Sequence, residues 1–159
     1  MLMEKKIAQL LIAQKKTLSV AESCSGGLLC HRLTNIPGSS NFLKLGLVVY
    51  SNDAKIKFLK ISVPTLNKHG AVSEPIARQM AKNVRKIFQT DFGIAITGIA
   101  GPSGGNIRKP VGLTFIAVST KKKTVCQKFF FKGNRLNIKS QAATQALKMF
   151  QWHCFGKGQ

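Results

Sequence analysis

Negative charge is nearly missing from this sequence. Only 5 Asp and Glu stand against 25 Lys and Arg in 159 residues, a formal charge of +20. The ~18-residue apolar run that a membrane-spanning helix needs is also missing. There is no CxxC pair: the four cysteines, at 24, 30, 126 and 154, have no regular spacing. A chain with its own core does not depend on disulfides at this length, so free thiols in a reducing, cytoplasmic setting are expected. His31, His69 and His153 show no metal-ligand spacing with each other or with cysteine, so no zinc site is expected. Gly-Lys-Ser/Thr and GxGxxG are both absent, which excludes the common nucleotide loops. Internal repeats and low-complexity linkers are missing too.

What is present is enough apolar material, 44% of residues, for one sizeable core. The charge invites a nucleic-acid reading. Against it, no helix-turn-helix, zinc-finger or RNA-recognition signature is visible, and the basic residues are spread along the chain. Sequence-independent binding at low salt is all that counterion release requires. A specific nucleic-acid partner is not expected, nor is a membrane partner.

Periodicity predicts a layered α/β domain. The N-terminal stretch, with Ile7, Leu10 and Leu11 on one side, reads as an amphipathic helix rather than a signal peptide, since Gln9 and Gln14 interrupt it and no cleavage site follows. Leu18–Ala21 reads as a strand running into Glu-Ser-Cys-Ser-Gly-Gly, with a helix through Leu28, Leu29 and Leu33. Leu45–Tyr50 reads as a buried strand, and Asp53–Leu59 and a segment from Pro64 as short helices. Pro75–Phe88 is the clearest helix, with Ile76, Met80, Val84, Ile87 and Phe88 on the core side. Phe92–Ile96 is a strand, and Val111–Ser119 with Val125–Phe131 a hairpin around Lys121–Lys123. A last helix spans about 135–152, with Asn134 as N-cap. One domain over 1–155 is expected, followed by a frayed tail over 156–159.

Three segments place chemistry at strand ends, where α/β sheets collect ligands. The loop Thr97–Gly105 has four glycines and no charged side chain, a composition that lets backbone N–H groups turn toward an anion. The serines of Gly38-Ser39-Ser40 and the lysine of Tyr50-Ser51-Asn52-Asp53-Ala54-Lys55 suggest a hydroxyl nucleophile with an amine base. Glu22 could hold a cation, a ligand hydroxyl or a helix N-terminus, and composition alone leaves these open. Cys24 is a possible nucleophile near a helix N-terminus, but a buried structural thiol is the simpler reading.

Six motifs occur in order: Ala-Glu-Ser-Cys-Ser-Gly-Gly (21–27), Pro-Gly-Ser-Ser (37–40), Tyr-Ser-Asn-Asp-Ala-Lys (50–55), His-Gly-Ala-Val-Ser (69–73), Thr-Gly-Ile-Ala-Gly-Pro (97–102) and Lys-Pro-Val-Gly (109–112). Together they resemble the CinA C-terminal domain family, the competence/damage-inducible proteins, over about residues 7–150. The resemblance implies a three-layer α/β/α domain with a mixed sheet, like the stand-alone deamidases. It implies hydrolysis of nicotinamide mononucleotide to nicotinate mononucleotide and ammonia, in pyridine nucleotide salvage, by a homo-oligomer without cofactor. Carried onto this sequence, Ser40 becomes the nucleophile, with Tyr50 and Lys55 as activating partners. Substrate contacts fall on Glu22, Ser23, Gly26, Gly27, Ser39, Thr97, Gly98, Gly101 and Arg135, with the oxyanion held near the Ser40 turn or Gly26-Gly27. Ser25 stands where threonine is usual and Asn134 where aspartate is common. Leu47 and Val49 stand where glycine and threonine are frequent. The alternative is a non-enzymatic nucleic-acid-binding or competence-related interaction protein.

Overall fold

The computed structural model describes residues 3–156; residues 157–159 of the expected frayed tail lie outside them. Five strands, β1 (Leu18–Glu22), β2 (Leu43–Val48), β3 (Phe92–Gly98), β4 (Leu113–Ser119) and β5 (Thr124–Phe130), form one sheet in the order β2-β1-β3-β4-β5. The first three are parallel, and β4 and β5 continue antiparallel as a hairpin. Helices α1 (Met3–Ala13), α2 (Leu28–Thr34) and α6 (Arg135–Phe155) cover one face. The other carries α3 (Asn52–Leu59), α4 (Val63–His69) and α5 (Glu74–Ile87). The fold is therefore a single α/β domain with a mixed sheet between two helical layers.

Side-chain size differs between the two faces. Val20, Ile94, Ile96, Ile116 and Val118 point to the α6 side, where Leu29, Ala142, Leu147 and Phe150 meet them. On the other face, Ala21, Ala95 and Ala117 stand opposite one another across three strands. That row of small residues lets α5 sit close to the sheet. A Cβ built on Gly93 would lie 2.2 Å from the Ala81 carbonyl oxygen, so only glycine fits beneath the helix. At the edge of the α6 layer, Phe92, Phe150 and Phe155 pack edge to face, with centroids 5.2–6.0 Å apart.

The structure departs from the periodicity reading in two places. The strand expected to be buried, β2, is at the sheet edge and alternates half-buried and exposed residues, because only β1 pairs with it. Ile87 and Phe88 do not reach the core. They are 48% and 53% exposed where α5 runs past the sheet. The Asn134 cap is as expected, and is part of a reciprocal capping box with Asn137.

With β1 between β2 and β3, the chain turns opposite ways from β1 into its two neighbours. The crevice beyond the carboxyl ends of β1 and β3 is the topological switch point of the sheet.

Candidate active site

A cavity of about 300 Å³ opens at that crevice. Its floor comes from the chain just after β1 (Ser23, Cys24) and from Lys55 in the first turns of α3. Its walls are Tyr50 from the β2–α3 connection, Asn52 at the start of α3, Ala71 and Val72 from the α4–α5 connection, and Thr97–Gly101 with Ser103 and Gly104. Arg135, at the start of α6, closes one side. The volume is at the small end of the usual range for small-molecule sites.

Lys55 is the unusual feature. It is 1% exposed and has no carboxylate partner. Its Nζ lies 3.0 Å from Ser23 Oγ, 2.9 Å from the Val49 carbonyl oxygen and 3.2 Å from that of Tyr50. Burial pulls its pKa from the ordinary lysine value down to about 8. A neutral amine has two N–H bonds and one lone pair. As an ammonium Lys55 donates to both carbonyls and to Ser23 Oγ; once neutral, it can keep two N–H bonds to the carbonyls and offer its lone pair to the Ser23 hydroxyl. The local fold enforces this arrangement. Ser51 Oγ caps α3 by accepting from the Ala54 N–H at 3.0 Å, and the first turn of α3 then carries Lys55 under the end of β1.

Ser23 sits between a strand and a helix. Its own N–H donates to the Ile96 carbonyl at 3.0 Å, which ties it to the end of β3. The Glu22 side chain, fully buried, turns away from the cavity and accepts three N–H bonds from the start of α2: Gly27 at 3.1 Å, Leu29 at 3.1 Å and Cys30 at 2.8 Å. Of the readings left open for Glu22, the helix N-terminus is the one observed. The N–H of Gly26 donates to the Ser23 carbonyl. With both glycine N–H groups engaged, neither Gly26 nor Gly27 can supply an oxyanion donor. Among the described residues, the N–H of Cys24 meets only its own thiol sulfur and that of Ser25 has no acceptor on the chain. Those of Ala100, Gly101, Ser103 and Gly104 have none either.

The expected activating tyrosine is oriented differently. Only its main-chain carbonyl meets Lys55. The Tyr50 hydroxyl accepts from Arg135 Nη2 at 2.7 Å, and Arg135 Nη1 donates to the Gly101 carbonyl at 2.7 Å. Gly101 has φ +74°, and a Cβ there would lie 2.5 Å from Val111 Cγ1, so the loop needs glycine to present that carbonyl. Thr97 Oγ1 donates to the Ala71 carbonyl at 2.9 Å and clamps one wall. Burial pushes the Cys24 thiol up to about 12, so a neutral, packed thiol lines the floor.

Ser40 is not in the site. It is exposed in the short 3-10 turn Ser39–Asn41, ahead of β2, while Tyr50 and Lys55 follow β2. Six strand residues, a span of about 20 Å, separate the two ends. Ser39 shares that turn and is likewise remote. Of the expected residues, Ser23, Tyr50, Lys55, Thr97, Gly98, Gly101 and Arg135 converge on the cavity, whereas Ser39, Ser40, Glu22, Gly26 and Gly27 do not line it. Asn52, Ala71 and Val72 line it without having been assigned a role, beside Cys24 and Ile99, Ala100, Ser103 and Gly104 of the glycine loop. Asn52, Ala71 and Val72 lie inside two of the six motifs, which was the available signal.

A family model described as the CinA C-terminal domain matches residues 2–154. The chain belongs to the CinA C-terminal domain family. A CinA-like protein of Syntrophus aciditrophicus is 50% identical over 152 residues, 93% of this chain and 36% of its own length. The chain thus spans about a third of the length of the curated relatives it matches. Among solved structures, the competence damage-inducible protein A of Klebsiella pneumoniae superposes with a TM-score of 0.93 at 30% identity, covering 99% of this chain and 97% of that one. A CinA superfamily protein of Escherichia coli gives 0.89 at 32% identity, covering 93% and 86%.

Proposed function

We infer that this CinA domain is an amidohydrolase that converts nicotinamide mononucleotide and water to nicotinate mononucleotide and ammonia, with Ser23 as nucleophile and Lys55 as its base. The observation that carries this is the buried Lys55 amine, within hydrogen-bond distance of two carbonyls and of Ser23 Oγ. A lysine buried without a counter-ion is costly, and amide hydrolysis through a serine is a chemistry that uses it.

In this mechanism Lys55 takes the Ser23 proton as Oγ bonds to the carboxamide carbon. The carbonyl π electrons move to oxygen, and the N–H groups of Cys24 and Ser25 receive that oxyanion. A donor in the residue after the nucleophile suits a serine held between a strand and a helix. The Lys55 ammonium then protonates the amide nitrogen, the C–N bond breaks, and ammonia leaves an ester on Ser23. Water attacks the ester while Lys55 accepts its proton. That proton returns to Ser23 Oγ as the acid departs. Arg135 and the N–H groups of the 100–104 loop supply the charge complement for the substrate phosphate.

Steady-state ammonia release tests the assignment. Nicotinamide mononucleotide should be turned over and free nicotinamide should not, since the phosphate contacts position the amide. Equal turnover of both, or of neither, would overturn it.

A further inference from the structure

A dense cluster of positive charge lies at the other end of the sheet. The starts of β1 and β3, the end of α5 and the β4–β5 turn meet there. A cavity of about 350 Å³ separates α5 from the turn. Lys82, Arg85 and Lys86 of α5 form one wall, and Lys121, Lys122 and Lys123 of the turn form the other. The rest of the lining is hydroxyl residues, with no apolar side chain. A second cavity, of about 490 Å³, lies beyond the same three hairpin lysines, with Lys16 and His153 in its wall. Basic residues that looked dispersed along the sequence are thus gathered by the strand order.

The cluster is not neutralised internally. Its one carboxylate, Asp91, already accepts from Lys16 Nζ at 3.1 Å, from the Thr17 N–H at 3.0 Å and from Thr17 Oγ1 at 3.1 Å. Among the described residues, no carboxylate pairs with Lys82, Lys86 or the hairpin lysines. Arg85 Nε is buried without an acceptor. Burial and then the nearby Lys123 charge hold the His153 imidazole below its ordinary pKa, as a positive field does. Compensation of a helix C-terminus accounts for Arg85 and Lys86 but not for three lysines on a β-turn.

We propose that this end of the molecule binds the phosphate backbone of duplex nucleic acid without reading base sequence. A single small anion would fill one cavity and leave the cations of the other unmet, whereas a row of phosphates meets both. Phe92, the one phenyl ring in the cavity walls, is engaged with Phe150 and Phe155 and offers no stacking platform between the charged walls, which disfavours single strands there. Ile87 and Phe88 are exposed nearby but line neither cavity, so the charged walls lack the apolar residues that insert into a bilayer.

Fluorescence anisotropy with a labelled DNA duplex of about 20 base pairs, over roughly 50 to 200 mM salt, tests this. K121Q/K122Q/K123Q should weaken binding about tenfold or more and reduce the log–log salt slope by about 2 to 3. K82Q/K86Q, on a different element, should weaken it in the same direction. K5Q/K57Q/K68Q removes the same charge as the hairpin triple from exposed sites elsewhere, and should change affinity less than about threefold. The turn keeps its N–H bonds from Lys122 and Lys123 to Thr120 Oγ1 in the hairpin triple, and unchanged thermal melts by circular dichroism verify the fold. Equal losses from the two triples would show that affinity follows net charge alone and overturn the proposal. Displacement of the duplex by vesicles of phosphatidylcholine and phosphatidylglycerol at equal phosphate concentration would overturn it in favour of a membrane surface.

Discussion

Lys55 Nζ stands 3.0 Å from Ser23 Oγ, although 32 residues separate the two in sequence. The contact joins the end of β1 to the first turns of α3 and sets a buried amine within hydrogen-bond distance of a hydroxyl. The proposed chemistry follows from that pairing.

Activity should depend on neutral Lys55. With its pKa near 8, log kcat/KM is expected to rise with pH at unit slope and level off above about 8. Lys55→Arg, charged throughout, should abolish turnover at every pH. A pH–rate profile that is flat from 6 to about 9 would contradict the assigned base.

The same titration should appear in stability. In the unfolded chain Lys55 has the ordinary value, 10.5, whereas the folded value is about 8, so the unfolded state holds more protons between these pH values. The unfolding free energy should therefore rise with pH across that window, and the full cost of burying the ammonium applies below it. Denaturant melts of wild type and Lys55→Met should show the wild type gaining roughly 3 kcal/mol on the variant between about pH 8 and 10.5. Taking the difference cancels the contributions that the two proteins share.

Tyr50 is a positioning residue for Arg135. Tyr50→Phe removes the acceptor 2.7 Å from Arg135 Nη2. A loss of about 1 kcal/mol predicts a KM raised roughly fivefold, with kcat and the pH profile unchanged. A shift of the profile instead would place the phenol in proton transfer.

Glu22→Gln should cost about 2 kcal/mol in a denaturant melt. The carboxylate accepts from three N–H groups, and an amide nitrogen in place of one oxygen would face a donor. Loss of this buried cap should also loosen the Ser23–Gly27 turn and lower the proposed kcat while the protein remains folded.

Much of the fold was legible because its periodic segments are strong and their breaks are chemical. Pro64, Pro75, Gly70 and Asn134 mark helix ends that the structure keeps. Burial at the margins was not legible. Ile87 and Phe88 fit the apolar face of α5, but the helix outruns the sheet there, and the edge position of β2 depends on long-range pairing. In the site, the motifs pointed to Lys55 and the Thr97–Gly105 loop, and the family resemblance to Arg135. The resemblance put the nucleophile on Ser40, although Ser23 also occurs in a Gly- and Ser-rich turn. Only the parallel register, which places Ser23 and Lys55 at one end of the sheet and Ser40 at the other, separates them. The role of Tyr50 was obscured similarly, because its hydroxyl partner is 85 residues away.

The most direct test of the account is ammonia release from nicotinamide mononucleotide by Ser23→Ala and Ser40→Ala, measured beside wild type. Ser23→Ala should lose about 10³-fold or more in kcat, and Ser40→Ala should remain within about threefold of wild type. Near-normal turnover by Ser23→Ala, with loss of activity in Ser40→Ala, would contradict it.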